Sequence, residues 1–189
     1  LEKLGIADKT YFHVSDEPTD EQFESYKAAK EMVEKDLKGY QMIDALSSYG
    51  FFEKGVVSQP ICSVDHIQPF LEKRPEKLWG YYCTAQYLDV SNRFIAQPGY
   101  RTRILGTQLY KYQLDGFLHW GYNFYNAEHS IFTIDPYRCT DAAGAFPSGD
   151  PFLVYPGADG VPEESMRIML MAEAMSVLCA MNYLESLAG

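Results

Sequence analysis

Asp16 and Glu17 stand side by side immediately before Pro18, at the end of the β-branched and aromatic run Thr10-Tyr-Phe-His-Val-Ser15. Two carboxylates at one point of a chain can divide labour, one moving a proton while the other holds charge. A run of this composition reads as a strand. In a parallel sheet, residues just past a strand's carboxyl end face the cleft where chemistry is done. Successive strand residues point to opposite faces, but Pro18 pushes Glu17 into an extended or turn conformation, so both carboxylates can reach one cleft. The competing reading is electrostatic: two negative charges ahead of a helix are stabilised by its dipole. On the residues alone both readings stand.

The next candidates are aromatic. Rings supply 15% of the 189 residues, with 15 Tyr and 11 Phe against 2 Trp, an excess that suits a core opening into a ligand cleft and suits the C–H faces of sugars. Trp120, Tyr122 and Asn123 end the run Phe117 to Phe124, and Tyr81 and Tyr82 sit near the end of Leu78 to Thr84. Pleat parity does not say which of Tyr81 and Tyr82 faces a cleft. His119 reads as a hydrogen-bonded packing residue, His66 and His129 are isolated, and Asp150 in Ser148-Gly-Asp-Pro151 reads as a turn residue. Cys62, Cys83, Cys139 and Cys179 lie far apart, so no metal site is expected, and no cofactor.

A net charge of −10 without a basic stripe argues against nucleic acid. No run of 18 or more apolar residues is present, so no membrane span is expected. The stretch Met166 to Leu187, broken by Glu173, Asn182 and Glu185, reads as a buried helix. The chain opens on Leu1 with no signal peptide. A processed chain or a piece of a longer one is expected, and the compartment stays open between bacterial cytoplasm and export.

These residues need a scaffold. Thr19 caps a helix with Gln22 completing a capping box, and Phe23, Tyr26, Ala29, Val33 and Leu37 stripe its apolar face as far as Lys38-Gly39. Further strands are expected at Tyr40 to Leu46, Gln59 to Val64, Leu78 to Thr84 and Phe117 to Phe124. Helices are expected at Asp65 to Glu72 and Pro98 to Leu114. A Gly/Pro-rich stretch follows, with short strands around Phe152 to Tyr155, and Pro162 opens the terminal helix. Strands alternating with helices imply an α/β chain of about five βα units around a parallel sheet. That is an open sheet or an incomplete (β/α)8 barrel, in one domain over 1–189.

The stretch His13-Val-Ser-Asp-Glu-Pro18 resembles the catalytic strand of glycoside hydrolase family 123 and of the related domain of unknown function 4091. Leu78-Trp-Gly-Tyr-Tyr-Cys-Thr84, Tyr100-Arg-Thr-Arg-Ile-Leu-Gly106, Gln108-Leu-Tyr-Lys-Tyr112 and Asp115 to Tyr125 continue the resemblance. So do Asp135-Pro-Tyr137, Thr140-Asp-Ala142 and Pro147 to Gly157, in order along nearly the whole chain. The resemblance implies the C-terminal part of a TIM-type barrel, supplying strands four to eight. It also implies hydrolysis of N-acetylhexosaminides, such as N-acetylgalactosaminides, through the substrate's own 2-acetamido group. In that scheme Glu17 is the general acid and base, Asp16 orients the acetamido group, and Tyr81 or Tyr82, Trp120, Tyr122 and Asn123 bind sugar. Three other expectations stand beside it: a carbohydrate-binding or scaffold module without turnover, an inactive fragment of the hydrolase, and an α/β protein of unrelated chemistry. Open barrel edges are expected to make the chain a homodimer, or to dock it on its own missing N-terminal half.

Overall fold

The five β-forming runs become five parallel strand positions. β1 (Tyr11–Phe12) is followed by α1 (Phe23–Asp36), β2 (Gln41–Met42), β3 (Asp44–Leu46) and α2 (Gly50–Glu53). β4 (Pro60–Ser63), α3 (Gln68–Glu72), β5 (Trp79–Tyr81) and, much later in the chain, β6 (Gly116–Leu118) complete the set. β1 pairs with β2, β3 with β4, β4 with β5 and β5 with β6, all in parallel. β2 runs into β3 through Ile43, whose N–H donates to Phe12 O at 2.8 Å. The protein is thus mixed α/β with parallel sheets, and its strands are shorter than the runs that announce them.

The helix after β1 starts where its cap dictates. Thr19 and Gln22 form the reciprocal capping box, with Thr19 N–H donating to Gln22 Oε1 at 2.9 Å. A single 3-10 turn, Asp20–Gln22, leads into α1. Tyr26 is the buried residue of α1; it joins Leu46, Phe51, Val56 and Val57 in one core cluster, with Phe23 and Val14 packed against it.

Strand alternation sorts the other face. Ile43 and Ala45 of the β2–β3 run, Ile61 of β4 and Leu118 of β6 line one cavity together with Tyr11 and Phe12 of β1. In a flat sheet β1 and β5, separated by two strand positions, would stand roughly 14 Å apart. The rings of Tyr11 and Trp79 nevertheless meet with centroids 5.3 Å apart, so the sheet curls and this face is concave. Gly116 permits part of that packing: a Cβ there would lie 2.4 Å from the Trp79 indole.

The computed structural model describes residues 1–188 and divides into two units. Leu1–Tyr81 with Leu114–Leu118 forms the unit above; Tyr82–Gln113 and the chain from His119 onward form the second. In the second unit, α4 (Tyr100–Arg103) and α5 (Leu105–Lys111) replace the single helix expected from Pro98. β7 (Val154–Pro156) and β8 (Pro162–Glu164) form an antiparallel pair, followed by α6 (Met166–Ala188). Pro162 therefore sits in a strand rather than opening the helix. Ser165 starts α6, its Oγ accepting the Ile168 N–H at 3.3 Å.

The packing of α6 corrects a second expectation. The helix lies close against α5, because a Cβ on Gly106 would stand 1.8 Å from Ala174 O. Yet only Arg167 and Ala174 are buried, and Met166, Met169, Tyr183, Leu184 and Leu187 are exposed. It is not the buried helix read from its composition. By length and composition α6 also meets the requirement for a membrane-crossing helix, in contrast to the reading that no segment does.

Candidate active site

Beyond Phe12 the chain stops pairing as a strand and is taken over by one side chain. Asp44, on β3 and 2% exposed, accepts Val14 N–H at 2.8 Å and Ser15 N–H at 3.2 Å on Oδ1, and the Tyr26 hydroxyl at 2.5 Å on Oδ2. Burial raises its carboxyl above the ordinary value of 3.8, and the three hydrogen bonds work against that shift. The same burial, with the neighbouring Asp44, pushes the Tyr26 phenol up. A carboxylate is held where water is scarce because three donors converge on it. The result is that residues 14 and 15 are pinned to the sheet just before Asp16 and Glu17.

The two candidate acids then part. Asp16, with His13, is a polar member of the wall of the concave-face cavity, about 280 Å³, whose other lining is Tyr11, Phe12, Ile43, Ala45, Ile61 and Leu118. Glu17 has φ 41°, the left-handed region that a non-glycine residue enters at a cost of order 1–3 kcal/mol and that clusters at functional sites. Pro18, buried, follows it. Glu17 Oε1 accepts the hydroxyl of Tyr81, from the end of β5. The Tyr81 oxygen lies 3.3 Å from Ser47 Oγ, which lies 3.5 Å from Ser63 Oγ. Ser63 Oγ is 3.0 Å from His66 Nδ1, itself 3.0 Å from Asp65 Oδ1. His66 is therefore not isolated, as its sequence setting suggested.

Of the paired tyrosines, Tyr81 is the one turned to the acids. Tyr82 is 0% exposed, edge-on to the His119 ring at 5.4 Å, with its phenol driven up chiefly by burial. It offers no surface to a sugar, which corrects its place among the binding candidates.

The second unit holds Trp120, Tyr122 and Asn123. They lie past β6 rather than on the long strand expected through Phe124. Here the chain leaves the sheet and pairs with 151–153 instead: Leu153 N–H donates to Tyr122 O at 2.8 Å, and Asn123 bridges Phe152. Trp120 is 42% exposed and Tyr122 52%. The Trp120 ring is flanked by Phe146 at 4.9 Å and Phe124 at 5.4 Å, and its Nε1–H donates to Asp150 Oδ2 at 2.9 Å. Asp150, 0% exposed, is thus more than a turn residue. Its Oδ1 lies 3.1 Å from His119 Nε2, and the buried Arg93 guanidinium donates to its backbone oxygen at 2.8 Å and to Gly121 O. Burial lowers Arg93 to about 10, against the pull of Tyr82 and Asp150. Nothing in the residues around Arg93 announces this role; a cation placed between Asn92 and Phe94 reads as surface.

His119 matches its expected role as a packing residue. Gly121 N–H donates to Nδ1 at 3.0 Å, so in the neutral ring the proton sits on Nε2 and goes to Asp150. Burial holds the His119 pKa below its ordinary 6.5, the Asp150 hydrogen bond opposing. A depressed histidine contributes stability that is present above the unfolded value and lost as pH falls. The thermal midpoint is therefore expected to fall between about pH 7 and about pH 5, and His119→Gln to flatten that slope. An unchanged slope in the variant would remove His119 as its source.

The family model described as glycoside hydrolase 123, catalytic domain, matches residues 1–184. Among solved structures, the chain is similar to a family 123 glycoside hydrolase from Clostridium perfringens, studied for the details of glycolipid glycan hydrolysis. The TM-score is 0.62 at 18% identity, over 92% of this chain and 31% of that one. This likeness is one of fold, and the chain spans about a third of that structure's length. No curated protein matches.

Proposed function

The chain belongs to the glycoside hydrolase 123 catalytic-domain family, and from that premise we propose that Asp16 and Glu17 hydrolyse N-acetylhexosaminides, N-acetylgalactosaminides among them, with retention and with the substrate's acetamido group as nucleophile. The observation that carries the reading is their placement at the end of β1: Asp16 at the wall of a 280 Å³ cavity, Glu17 tied to Tyr81 from β5. The curled parallel strands fit strands four to eight of a (β/α)8 barrel, whose carboxyl ends bear the active residues. The open edges of β1 and β6 carry the further proposal of a homodimer, or of docking onto more of the same barrel.

In the first step Glu17 gives its proton to the glycosidic oxygen as the anomeric C–O bond breaks. The acetamido carbonyl oxygen bonds to the anomeric carbon, closing a cationic ring, and Asp16 accepts the N–H hydrogen bond that orients the group and offsets its charge. In the second step Glu17, now a carboxylate, takes a proton from the water that attacks that carbon. The bond to the acetamido oxygen breaks and the configuration is retained. This is an exception to hydrolysis by two directly acting carboxylates. In the second unit Trp120 offers a ring face on which a sugar can stack, with Tyr122 and Asn123 exposed nearby in sequence.

The test is a panel of aryl glycosides that share an aglycone and differ at C2. Turnover of 2-acetamido sugars with loss of at least about 100-fold on their 2-hydroxy counterparts is expected, because the internal nucleophile is missing. Equal turnover of both overturns the mechanism. Glycan binding without turnover of either favours a binding module, a reading that the exposed Trp120 platform supports by itself.

A further inference from the structure

Ser47, Ser63 and Tyr81 form one row across the ends of β3, β4 and β5. Ser63 is in register with Tyr81, and the pairing of Leu46 with Cys62 brings the next residues, Ser47 and Ser63, beside each other. All three lie on the concave face, two residues beyond Ala45, Ile61 and Trp79. Each hydroxyl owns a single proton. Tyr81 gives its proton to Glu17 Oε1, so its oxygen can only accept from Ser47 at 3.3 Å. Ser47 Oγ in turn lies 3.5 Å from Ser63 Oγ, for whose proton His66 Nδ1 at 3.0 Å and the Asp65 carboxylate compete. From Ser47 through Tyr81 the row is polarised in one direction, and it ends on the carboxyl group.

We infer that Tyr81 is the positioning residue of Glu17: its hydroxyl occupies Oε1, so the proton that Glu17 delivers is carried on Oε2 and aimed from a fixed rotamer, with Ser47 holding the phenol in its donor direction. This deepens the proposed function and rests on Glu17 being its acid and base. Glu17 needs such a partner, since it is exposed on a left-handed backbone turn and has little packing to hold its side chain. Tyr81 is suited to the task, being 3% exposed, so its ring is fixed before the carboxyl group meets it. Its part is to orient the acid, and a sugar contact is not required of it.

Tyr81→Phe removes the hydroxyl and keeps the ring. On a 2-acetamido glycoside with a poor leaving group, such as an alkyl alcohol, kcat is expected to fall about 10- to 100-fold, with KM within about twofold. On the 2,4-dinitrophenyl glycoside, whose phenolate departs without a proton, kcat/KM, which reports the first step alone, is expected to stay near that of the unaltered chain. Ser47→Ala should give a smaller loss with the same leaving-group pattern. Equal losses on both substrates, or none on either, overturn the inference. A second measurement needs no turnover: in a chain labelled with 13C at the tyrosine Cζ, the resonance that Tyr81→Phe deletes should move in Glu17→Ala and in Ser47→Ala. A resonance indifferent to Glu17→Ala overturns the contact itself. If it moves while the unaltered chain cleaves no 2-acetamido glycoside, the proposed function fails and the hydrogen-bonded row stands.

Discussion

Replacing Glu17 by Gln is expected to lower kcat/KM on an unactivated 2-acetamido glycoside by about 10²- to 10⁴-fold, equivalent to roughly 2.7–5.5 kcal/mol of transition-state stabilisation. The amide keeps the shape and can still accept the Tyr81 hydroxyl through its oxygen, so the fold around β1 should be undisturbed. What is lost is the proton for the leaving oxygen and the base for the incoming water. Those two losses can be separated. With a dinitrophenyl leaving group the first step no longer needs the acid, and only the second remains slow. Added azide, an anion that attacks without surrendering a proton, should then restore turnover and yield a glycosyl azide of retained configuration. Asp16→Asn should behave differently, because its contribution is to the acetamido group in both steps: the loss should persist with the activated leaving group and resist azide. A Glu17→Gln variant as active as the unaltered chain would take Glu17 out of the chemistry.

Much of the scaffold that makes this test sensible is readable from local pattern. The runs around Tyr11, Asp44, Ile61, Gly80 and Phe117 carry enough β-branched and aromatic residues to mark five strands, and Thr19 with Gln22 marks the start of α1 by a reciprocal bond that is entirely local. The features that position the site are not local. Tyr81 and Tyr82 differ only in which way the pleat turns them, and that depends on register with Ser63 and Leu118, one strand away on either side. Trp120 reads as a strand residue because its neighbours are apolar; it leaves the sheet because its segment pairs with 151–153, about thirty residues on. The length of α6 was visible and its burial was not, since composition measures how apolar a helix is and not what stands beside it. Asp44 is hard to read from sequence for a related reason. A lone carboxylate in an apolar run reads as a flaw in the strand, whereas a buried charge with three donors marks a place where two segments must be held together.

Removing that carboxylate should have the largest effect on stability. Asp44→Ala leaves two backbone amides and the Tyr26 hydroxyl without their acceptor. Each unmade bond at a buried group costs about 1–3 kcal/mol, but Val14 is only half-buried and Ser15 is exposed, so water can reach their amides in part. A net loss of about 3 kcal/mol follows, read as a fall of roughly 6–12 °C in the thermal midpoint of a chain this long. Tyr26→Phe, which breaks one of the three bonds, should cost about 1 kcal/mol. The pH dependence carries the sign of the raised carboxyl. A group more easily protonated when folded contributes stability that is present below its unfolded value and declines as pH rises through the folded one, and Asp44→Asn should abolish that decline. The same variants should lower kcat at temperatures far below the midpoint, because residues 14 to 17 lose the anchor that presents both acids. A midpoint for Asp44→Ala within about 1 °C of the unaltered chain would mean that the strained turn at Glu17 is held by Pro18 and the Tyr81 bond alone, and that Asp44 is a tolerated passenger in β3.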